Sequence, residues 1–203
     1  MKTIGIIGGI ASGKSLVSAM LGELGARTLD ADKIGHAVLA EDAEVRKAVV
    51  ERWGPSVLAA DGSIDRKAVA KRVFAPDDAG RSNLGFLEAL LHPRIRQRLE
   101  MQRDEQLAMG NVPVVIEPSM LLESGSKLTF DVLVMVDSPR ENRLARARRR
   151  GWTDEQFAAR EAAQWPVEEK RRRADFVIAN EGSEADLRRA VLAFWEKYVV
   201  PCR

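Results

Sequence analysis

The sequence of 203 residues predicts an α/β fold in which a parallel sheet is covered by helices on both faces. Short apolar runs rich in β-branched residues alternate along the chain with segments whose apolar residues recur at helical spacing. A glycine-rich segment, GGIASGKS at 8–15, joins the first apolar run to the first helical segment. Because ligands of such sheets bind beyond the carboxyl ends of the strands, we expect the functional site there.

Five segments are predicted as strands and most of the remaining chain as helix. The predicted strands are 3–7 (TIGII), 26–32 (ARTLDAD), 112–117 (VPVVIE), 131–136 (DVLVMV) and 174–180 (ADFVIAN). Helices are predicted at 13–24, 139–150, 153–164 (with Thr153 as N-cap) and 183–199, and mostly helical structure at 33–110. His92-Pro93 is expected to interrupt this last segment, because a residue that precedes proline disfavours helical dihedral angles.

The composition excludes several classes of protein. Apolar residues make up 45% and charged residues 31% of the chain, which is typical of a globular protein. A net charge of +2 provides no overall field for nucleic acid, and no segment approaches roughly 18 apolar residues in a row. The single cysteine, Cys202, cannot form an internal disulfide, which suits a reducing compartment. We therefore expect a cytoplasmic protein with neither a nucleic-acid nor a membrane partner.

The strongest motif is G-x-x-x-x-G-K-[ST], with Gly8, Gly13, Lys14 and Ser15 at its fixed positions. Small residues allow successive backbone N–H groups to surround phosphate oxygens, and the N-terminus of the following helix adds partial positive charge. In this motif the lysine reaches the β and γ phosphates and the hydroxyl joins the magnesium shell. The segment therefore predicts a nucleoside-triphosphate site.

Acidic residues stand at the ends of two predicted strands. Asp30 and Asp32 alternate at the end of the second strand and are expected to face the same way, so that one carboxylate serves as a general base. Alternatively, Asp32 caps the following helix. Glu117 ends the third strand, where it either contacts magnesium through water or has only a structural role.

The segment 139–150 is rich in arginine. Arg143, Arg146 and Arg150 are spaced to share one helix face, which could close over a nucleotide and neutralise the moving phosphoryl group. The alternative is a solvated charged surface. For a second basic run, 170–173, solvated surface is the preferred interpretation.

Several segments together resemble the dephospho-coenzyme A kinase family. They are spread in order over nearly the whole chain: IGIIGGIASGKSLVSAMLGELGA, LDADKIGHAVL, LHPRIR, VVIEPSMLLESG, RARRRGWT, REAAQWPVEEK and ADFVIANEGS. The resemblance implies a single P-loop NTPase domain of the nucleotide-kinase type. This is a three-layer fold with a five-stranded parallel sheet, a helical acceptor subdomain at about 33–110 and an arginine-rich lid at about 139–173.

The same resemblance implies a reaction and its residues. The γ-phosphoryl group of ATP is transferred to the ribose 3′-hydroxyl of dephospho-coenzyme A, in the last step of coenzyme A synthesis, by a monomer or weak oligomer. Asp32 is implied as base, and Lys14 and Arg146 as further catalytic residues. Ser15 is implied as a Mg²⁺ ligand, with Glu117 acting through water. Implied ATP-binding residues are Gly9, Ala11, Ser12, Gly13, Lys14, Ser15, Leu16, Arg143, Arg150 and Asn180; implied acceptor-binding residues are Asp32, His92 and Glu123.

Two residues depart from the family pattern. Ala11 stands where the family usually has glycine, and a left-handed backbone there would strain the loop. Ser119 occupies a position where the family favours proline. Two alternative functions stay open from the sequence: a P-loop kinase acting on another small molecule, and a nucleotide-binding regulatory protein without transferase activity.

Overall fold

The computed structural model describes residues 2–75, 77–110, 112–118 and 128–199. Its described residues form a parallel sheet of five strands, which confirms the predicted number and direction. The strands are β1 (Thr3–Gly8), β2 (Arg27–Asp30), β3 (Val114–Glu117), β4 (Val132–Asp137) and β5 (Phe176–Ala179), in the spatial order β2-β3-β1-β4-β5. The first strand is therefore central, and its carboxyl end leads directly into the glycine-rich segment.

Helices cover both faces of the sheet, since every residue of β1 is buried. Two helices that contact each other, α1 (Lys14–Glu23) and α9 (Glu184–Tyr198), contribute to the main apolar cluster. That cluster joins Ile4 and Ile6 of β1 to Val17 and Leu21 of α1 and Phe194 of α9. Burying these side chains supplies the main driving force for folding of this part.

Contacts divide the chain into two compact units, Met1–Asp30 with Gln102–Arg203 and Ala31–Met101. The second unit contains α2 (Ala31–Glu41), α3 (Ala43–Trp53), a short 3₁₀ helix (Pro55–Val57), α4 (Arg66–Val73) and most of α5 (Asp78–Met109). Asp42 and Asp65 cap α3 and α4 by accepting backbone N–H groups. The unit begins two residues before the predicted 33–110 segment, whose role in acceptor binding stays a prediction.

The predicted helices at 139–150 and 153–164 are confirmed as α6 (Arg140–Arg149) and α7 (Asp154–Ala162), while the lid role of this region stays a prediction. Thr153 is the predicted N-cap of α7. Its Oγ1 accepts from the Gln156 N–H at 3.2 Å, while Gln156 Oε1 accepts from the Thr153 N–H at 3.1 Å. A further helix, α8 (Val167–Arg173), was not predicted. No helix in the described part of the chain is long and apolar enough to span a bilayer.

Two predictions about the boundaries of elements are wrong. The second strand ends at Asp30 rather than extending to residue 32, because α2 begins at Ala31. The 32-residue helix α5 continues through Pro93, which was expected to interrupt it. Pro93 lacks the N–H that would bond the Ala89 carbonyl, and at the adjacent carbonyl, that of Leu90, Arg94 Nη1 donates at 2.9 Å.

Candidate active site

The loop between β1 and α1 has no room for a side chain at the two fixed glycines of its motif. A Cβ atom on Gly8 would lie 2.4 Å from the Val136 carbonyl oxygen, and one on Gly13 would lie 2.3 Å from Asn180 Nδ2. Gly13, with φ of 103°, also has the left-handed backbone that favours glycine. Both fixed glycines of the motif are therefore required by their surroundings.

Ala11 is the only non-glycine residue with positive φ in the part of the chain that the structure describes, at 58°. Ala11 therefore has the left-handed backbone that was expected to strain the loop if it occurred at this position. Its methyl group is buried in a small apolar cluster with Ala147 of α6 and Phe157 of α7. Packing of the methyl group against these helices offsets part of the backbone cost.

Arg146 and Asn180 hold the outer side of the loop. Arg146 Nη1 donates to the carbonyls of Ala11 and Ser12, both at 3.3 Å, and Nη2 donates to the Asn180 carbonyl at 3.2 Å. The Asn180 side chain also donates from Nδ2 to the Ser12 carbonyl at 2.7 Å. Since the carbonyl and the N–H of one trans peptide unit point in opposite directions, these contacts favour N–H groups of Ser12 and Gly13 that face inward.

Lys14 and Ser15 lie where the loop enters α1. Lys14 Nζ donates to the carbonyls of Gly8 and Gly9, at 3.2 and 3.1 Å. Ser15 Oγ donates to Glu117 Oε2 at 3.3 Å, which joins the loop to the end of β3. The predicted lysine, hydroxyl and carboxylate are therefore brought together at one edge of the sheet.

Glu117 lies in a mixed environment. Burial raises the pKa of its carboxyl, opposed by hydrogen bonds from Ser18 and Ser15 and by the charge of Lys14, whereas the charge of Asp30 raises it further. Asp30 is also the register partner of Glu117 between β2 and β3. A bound cation would stabilise the charged form of such a carboxylate.

The donor set at this edge suits Mg²⁺ bound together with phosphates. No group of three or more His, Cys, Asp or Glu side chains suited to a metal occurs among the described residues. Mg²⁺ commonly takes one or two protein oxygens and completes its octahedron with phosphate oxygens and water. The Ser15 hydroxyl and Glu117 carboxylate fit that pattern.

A cavity of about 380 Å³ lies beside the loop. Its lining includes Lys14, Ser15 and Leu16 at the start of α1, Arg146 and Arg149 of α6, and Arg150 directly after α6. Ala11, Gly13 and Asn180 also line it, so seven of the ten predicted ATP-binding residues meet here, together with the predicted catalytic Arg146. Burial lowers the pKa of Arg146, and the nearby charges of Arg149 and Arg150 lower it further, which is the environment expected of an anion site.

Sequence reasoning missed part of this lining. Arg149, Gly182, Glu184 and Leu187 were not predicted, although all four line the cavity. The last three lie after β5, at the start of α9, where a Ser183–Asp186 capping box begins the helix. A strand end followed by this capping signal could have identified them.

Arg143 has a different environment from the other arginines. It is buried, its Nη2 lies 2.8 Å from Glu161 Oε1, and its Nε donates to the Ser138 carbonyl at 3.1 Å. Its Nη1 has no hydrogen-bond partner among the described residues and lies against Gly9. Arg143 does not line the cavity, so its direct contact with ATP stays a prediction.

The basic run 170–173 is only partly a solvated surface. Arg171, Arg172 and Arg173 are exposed, as predicted, but Lys170 is buried, so the interpretation is wrong for this residue. Residues 170–173 lie in the short helix α8, which contacts β1 and β4. One turn of helix therefore directs one basic side chain inward and the others to solvent.

Within the second unit, Asp32 lines a groove of about 310 Å³. Asp32 is exposed and lies within the first turn of α2 rather than at its cap, so the strand alternation predicted for Asp30 and Asp32 is wrong. His36 and Arg66 share the groove, with Arg66 Nη2 at 2.7 Å from His36 Nε2. The rest of the lining is apolar or small and includes Leu39, Val69, Phe74, Leu84, Leu91 and Ile95.

Two predicted acceptor-site residues lie elsewhere. His92 is on α5 but does not line this groove; burial lowers its pKa, and the charge of Glu88 raises it. Glu123 lies outside the described residues, as does Ser119. Their roles stay predictions.

Comparisons with known proteins are consistent with one another. A family model described as dephospho-CoA kinase matches residues 2–186. The dephospho-CoA kinase of Geobacillus kaustophilus is 37% identical, with 97% of this chain and 96% of that protein covered. That of Symbiobacterium thermophilum is 41% identical, with 96% and 80% covered. A crystal structure of a Thermus thermophilus protein is 36% identical with a TM-score of 0.76, and the match covers 98% of both chains. The dephospho-CoA kinase of Campylobacter jejuni is 29% identical with a TM-score of 0.64, and the match covers 96% of both.

Proposed function

The chain belongs to the dephospho-CoA kinase family, and we propose the role that each of its site residues has in that family's reaction. The reaction transfers the γ-phosphoryl group of ATP to the ribose 3′-hydroxyl of dephospho-coenzyme A, in the last step of coenzyme A synthesis. One observation carries the proposal: the cavity beside the loop is lined by Lys14, Ser15 and three arginines at the C-terminal end of α6, the last of them its C-cap. A strongly cationic cavity at a helix N-terminus is suited to a triphosphate.

On the donor side, the loop N–H groups hold the phosphates and Lys14 exchanges its carbonyl partners for the β and γ phosphates. Arg146, Arg149 and Arg150 neutralise charge on the transferred group. We propose Mg²⁺ as the cofactor, held by Ser15 directly and by Glu117 through water. When bound, it would neutralise charge on the β and γ phosphates.

On the acceptor side, Asp32 takes the proton from the ribose 3′-hydroxyl as it attacks the γ-phosphorus. Its exposure within a groove of largely apolar lining supports this role. Since the 3′-hydroxyl and the adenine belong to the same nucleoside, the apolar side chains of the groove would pack on the adenosine part of the acceptor. Arg66 would bind the 5′-pyrophosphate of dephospho-coenzyme A, because guanidinium groups form strong hydrogen bonds with phosphate.

We further propose that the chain acts in the cytoplasm as a monomer or weak oligomer, with ATP and dephospho-coenzyme A as its only partners. The nearly balanced charge, 32 basic against 30 acidic residues, supports the absence of a nucleic-acid partner.

The proposed base is tested by Asp32→Asn. We expect ADP release from Mg-ATP to require dephospho-coenzyme A, and kcat to fall at least about 100-fold in the variant, because the amide cannot accept the proton. Affinity for ATP should be retained, as measured by titration calorimetry. The matched control is Glu41→Gln, on the exposed far end of the same helix, which should keep wild-type activity.

Three results would contradict these assignments. Full activity of Asp32→Asn would exclude Asp32 as the base. In a panel of acceptors, a preference for a free nucleoside over dephospho-coenzyme A would favour the alternative small-molecule kinase, and tight ATP binding without phosphorylation of any acceptor would favour a regulatory protein.

A further inference from the structure

Lys170 of α8 has a buried amino group that lies against Gly8, the first residue of the phosphate loop. The residue is 2% exposed, and its Nζ donates to the Gly8 carbonyl at 3.3 Å and to Gln164 Oε1 at 2.9 Å. Both partners are oxygen acceptors, which suit the three donors of an ammonium group. Burying lysine is costly unless it is partnered, so these contacts explain how α8 tolerates it.

The Gly8 carbonyl has two lysine donors at once. Lys14 Nζ lies 3.2 Å from the same oxygen, nearly as close as Lys170 Nζ. The motif assigns Lys14 to the β and γ phosphates, and reaching them means leaving the carbonyl. Lys170 belongs to α8, outside the loop, and can stay on Gly8 when ATP binds.

We propose that Lys170 is a positioning residue for ATP, a role that rests on the proposed kinase function. It holds the Gly8 carbonyl on the outer side of the loop, so that the Gly9 N–H faces the phosphates while Lys14 is engaged with them. Its charge lies behind the loop in a poorly solvated region, where attraction for the phosphates is less screened than in water. Gln164, between α7 and α8, directs Nζ toward the loop.

A purely structural role would look different. If Lys170 only anchored α8 against the sheet, its loss would lower the stability of the fold and weaken every nucleotide ligand alike. If it positions the loop, its loss weakens each ligand according to the number of phosphates that the ligand carries. Affinities for ATP, ADP and adenosine, each measured well below the unfolding temperature, therefore separate the two roles.

The experiment uses titration calorimetry on the full chain with Lys170→Met, which removes Nζ and keeps the stem. We expect the dissociation constant to rise about tenfold or more for a non-hydrolysable ATP analogue, less for ADP, and less than about twofold for adenosine. Lys170→Arg, which keeps the charge, should recover part of the ATP affinity. Arg172→Met is the matched control, because Arg172 is exposed on the same helix, and it should change none of the three values.

Equal losses for the three ligands, or an ATP affinity within about twofold of wild type, would overturn the proposal. If Lys170→Met does not fold, Gln164→Leu removes the acceptor that directs Nζ and should give the same order of losses, with smaller values. If Gln164→Leu lowered the affinities for ATP, ADP and adenosine by the same factor, the proposal would be overturned as well. These tests can fail while ADP release still requires dephospho-coenzyme A and Asp32. That result would reject the role of Lys170 and leave the proposed function standing.

Discussion

At Ala11, the backbone preference of the residue and its packing oppose each other. The left-handed conformation at φ 58° costs an alanine about 1–2 kcal/mol. Its methyl group, 6% exposed, is buried against Ala147 and Phe157 and contributes about 0.8 kcal/mol. The two effects are of similar size, which explains why the loop accepts alanine at this position.

Ala11→Gly is therefore expected to change the free energy of unfolding by less than about 1 kcal/mol, because relief of strain and loss of packing nearly cancel. Ala11→Val is the contrasting variant. It should destabilise by about 2 kcal/mol or more, because a β-branched residue combines positive φ with too little space. Urea unfolding without nucleotide measures both. A loss above about 2 kcal/mol for Ala11→Gly would show that the methyl contacts outweigh the strain.

At the scale of elements, α5 shows how a long helix accommodates an internal proline. Pro93 cannot donate a backbone hydrogen bond, and Arg94 Nη1 bonds the Leu90 carbonyl at 2.9 Å in the same turn. Arg94 also lies 3.3 Å from Asp42 at the start of α3. One arginine thus supports the helix at its weakest turn and connects it to a neighbouring helix.

We expect Pro93→Ala to raise the free energy of unfolding by roughly 1–3 kcal/mol, because it restores a backbone donor. Arg94→Met should be destabilising by about the same amount in either background, because the restored N–H bonds the carbonyl of Ala89 whereas the Arg94 side chain bonds that of Leu90. Urea unfolding of the two single variants and the double variant forms the cycle. A coupling above about 0.5 kcal/mol would contradict this and show that the proline makes the Leu90 carbonyl depend on the arginine side chain.

At the scale of the whole molecule, each compact unit has its own cavity. The cavity beside the loop belongs to the unit that holds the sheet, and the groove with Asp32 belongs to the unit at Ala31–Met101. Donor and acceptor binding are therefore expected to stabilise different parts of the chain, because a ligand stabilises the elements that it contacts.

Amide hydrogen exchange tests this division. A non-hydrolysable Mg-ATP analogue should slow exchange at 8–16 and 140–150, while dephospho-coenzyme A alone should slow it at 31–39 and 66–95. Adenosine serves as the control for the phosphate contribution. Protection by dephospho-coenzyme A confined to the sheet unit would contradict the predicted acceptor role of the 33–110 segment.

Much of the fold and of the donor site could be predicted, because the signals are local. Strands β1, β3 and β4 are short apolar runs, and the loop motif is contiguous at 8–15, so a few neighbouring residues specify each. The end of β2 and the continuity of α5 could not be predicted in the same way. In both, tertiary contacts override a local preference: β2 pairs with β3 as far as Asp30 and Glu117, and Arg94, next to Pro93, pairs with Asp42 at the start of α3.

The sequence by itself determined the strand and helix order, the phosphate-binding loop and, through its ordered motifs, the reaction. Only the tertiary structure decided that Lys170 is buried at the Gly8 carbonyl, 162 positions away in the chain, and that Arg146 rather than Arg143 lines the cavity. It also decided the strained conformation of Ala11. The reason is physical: local spacing encodes a helix or a loop, but the direction of a charged side chain depends on oxygen acceptors brought near it by folding.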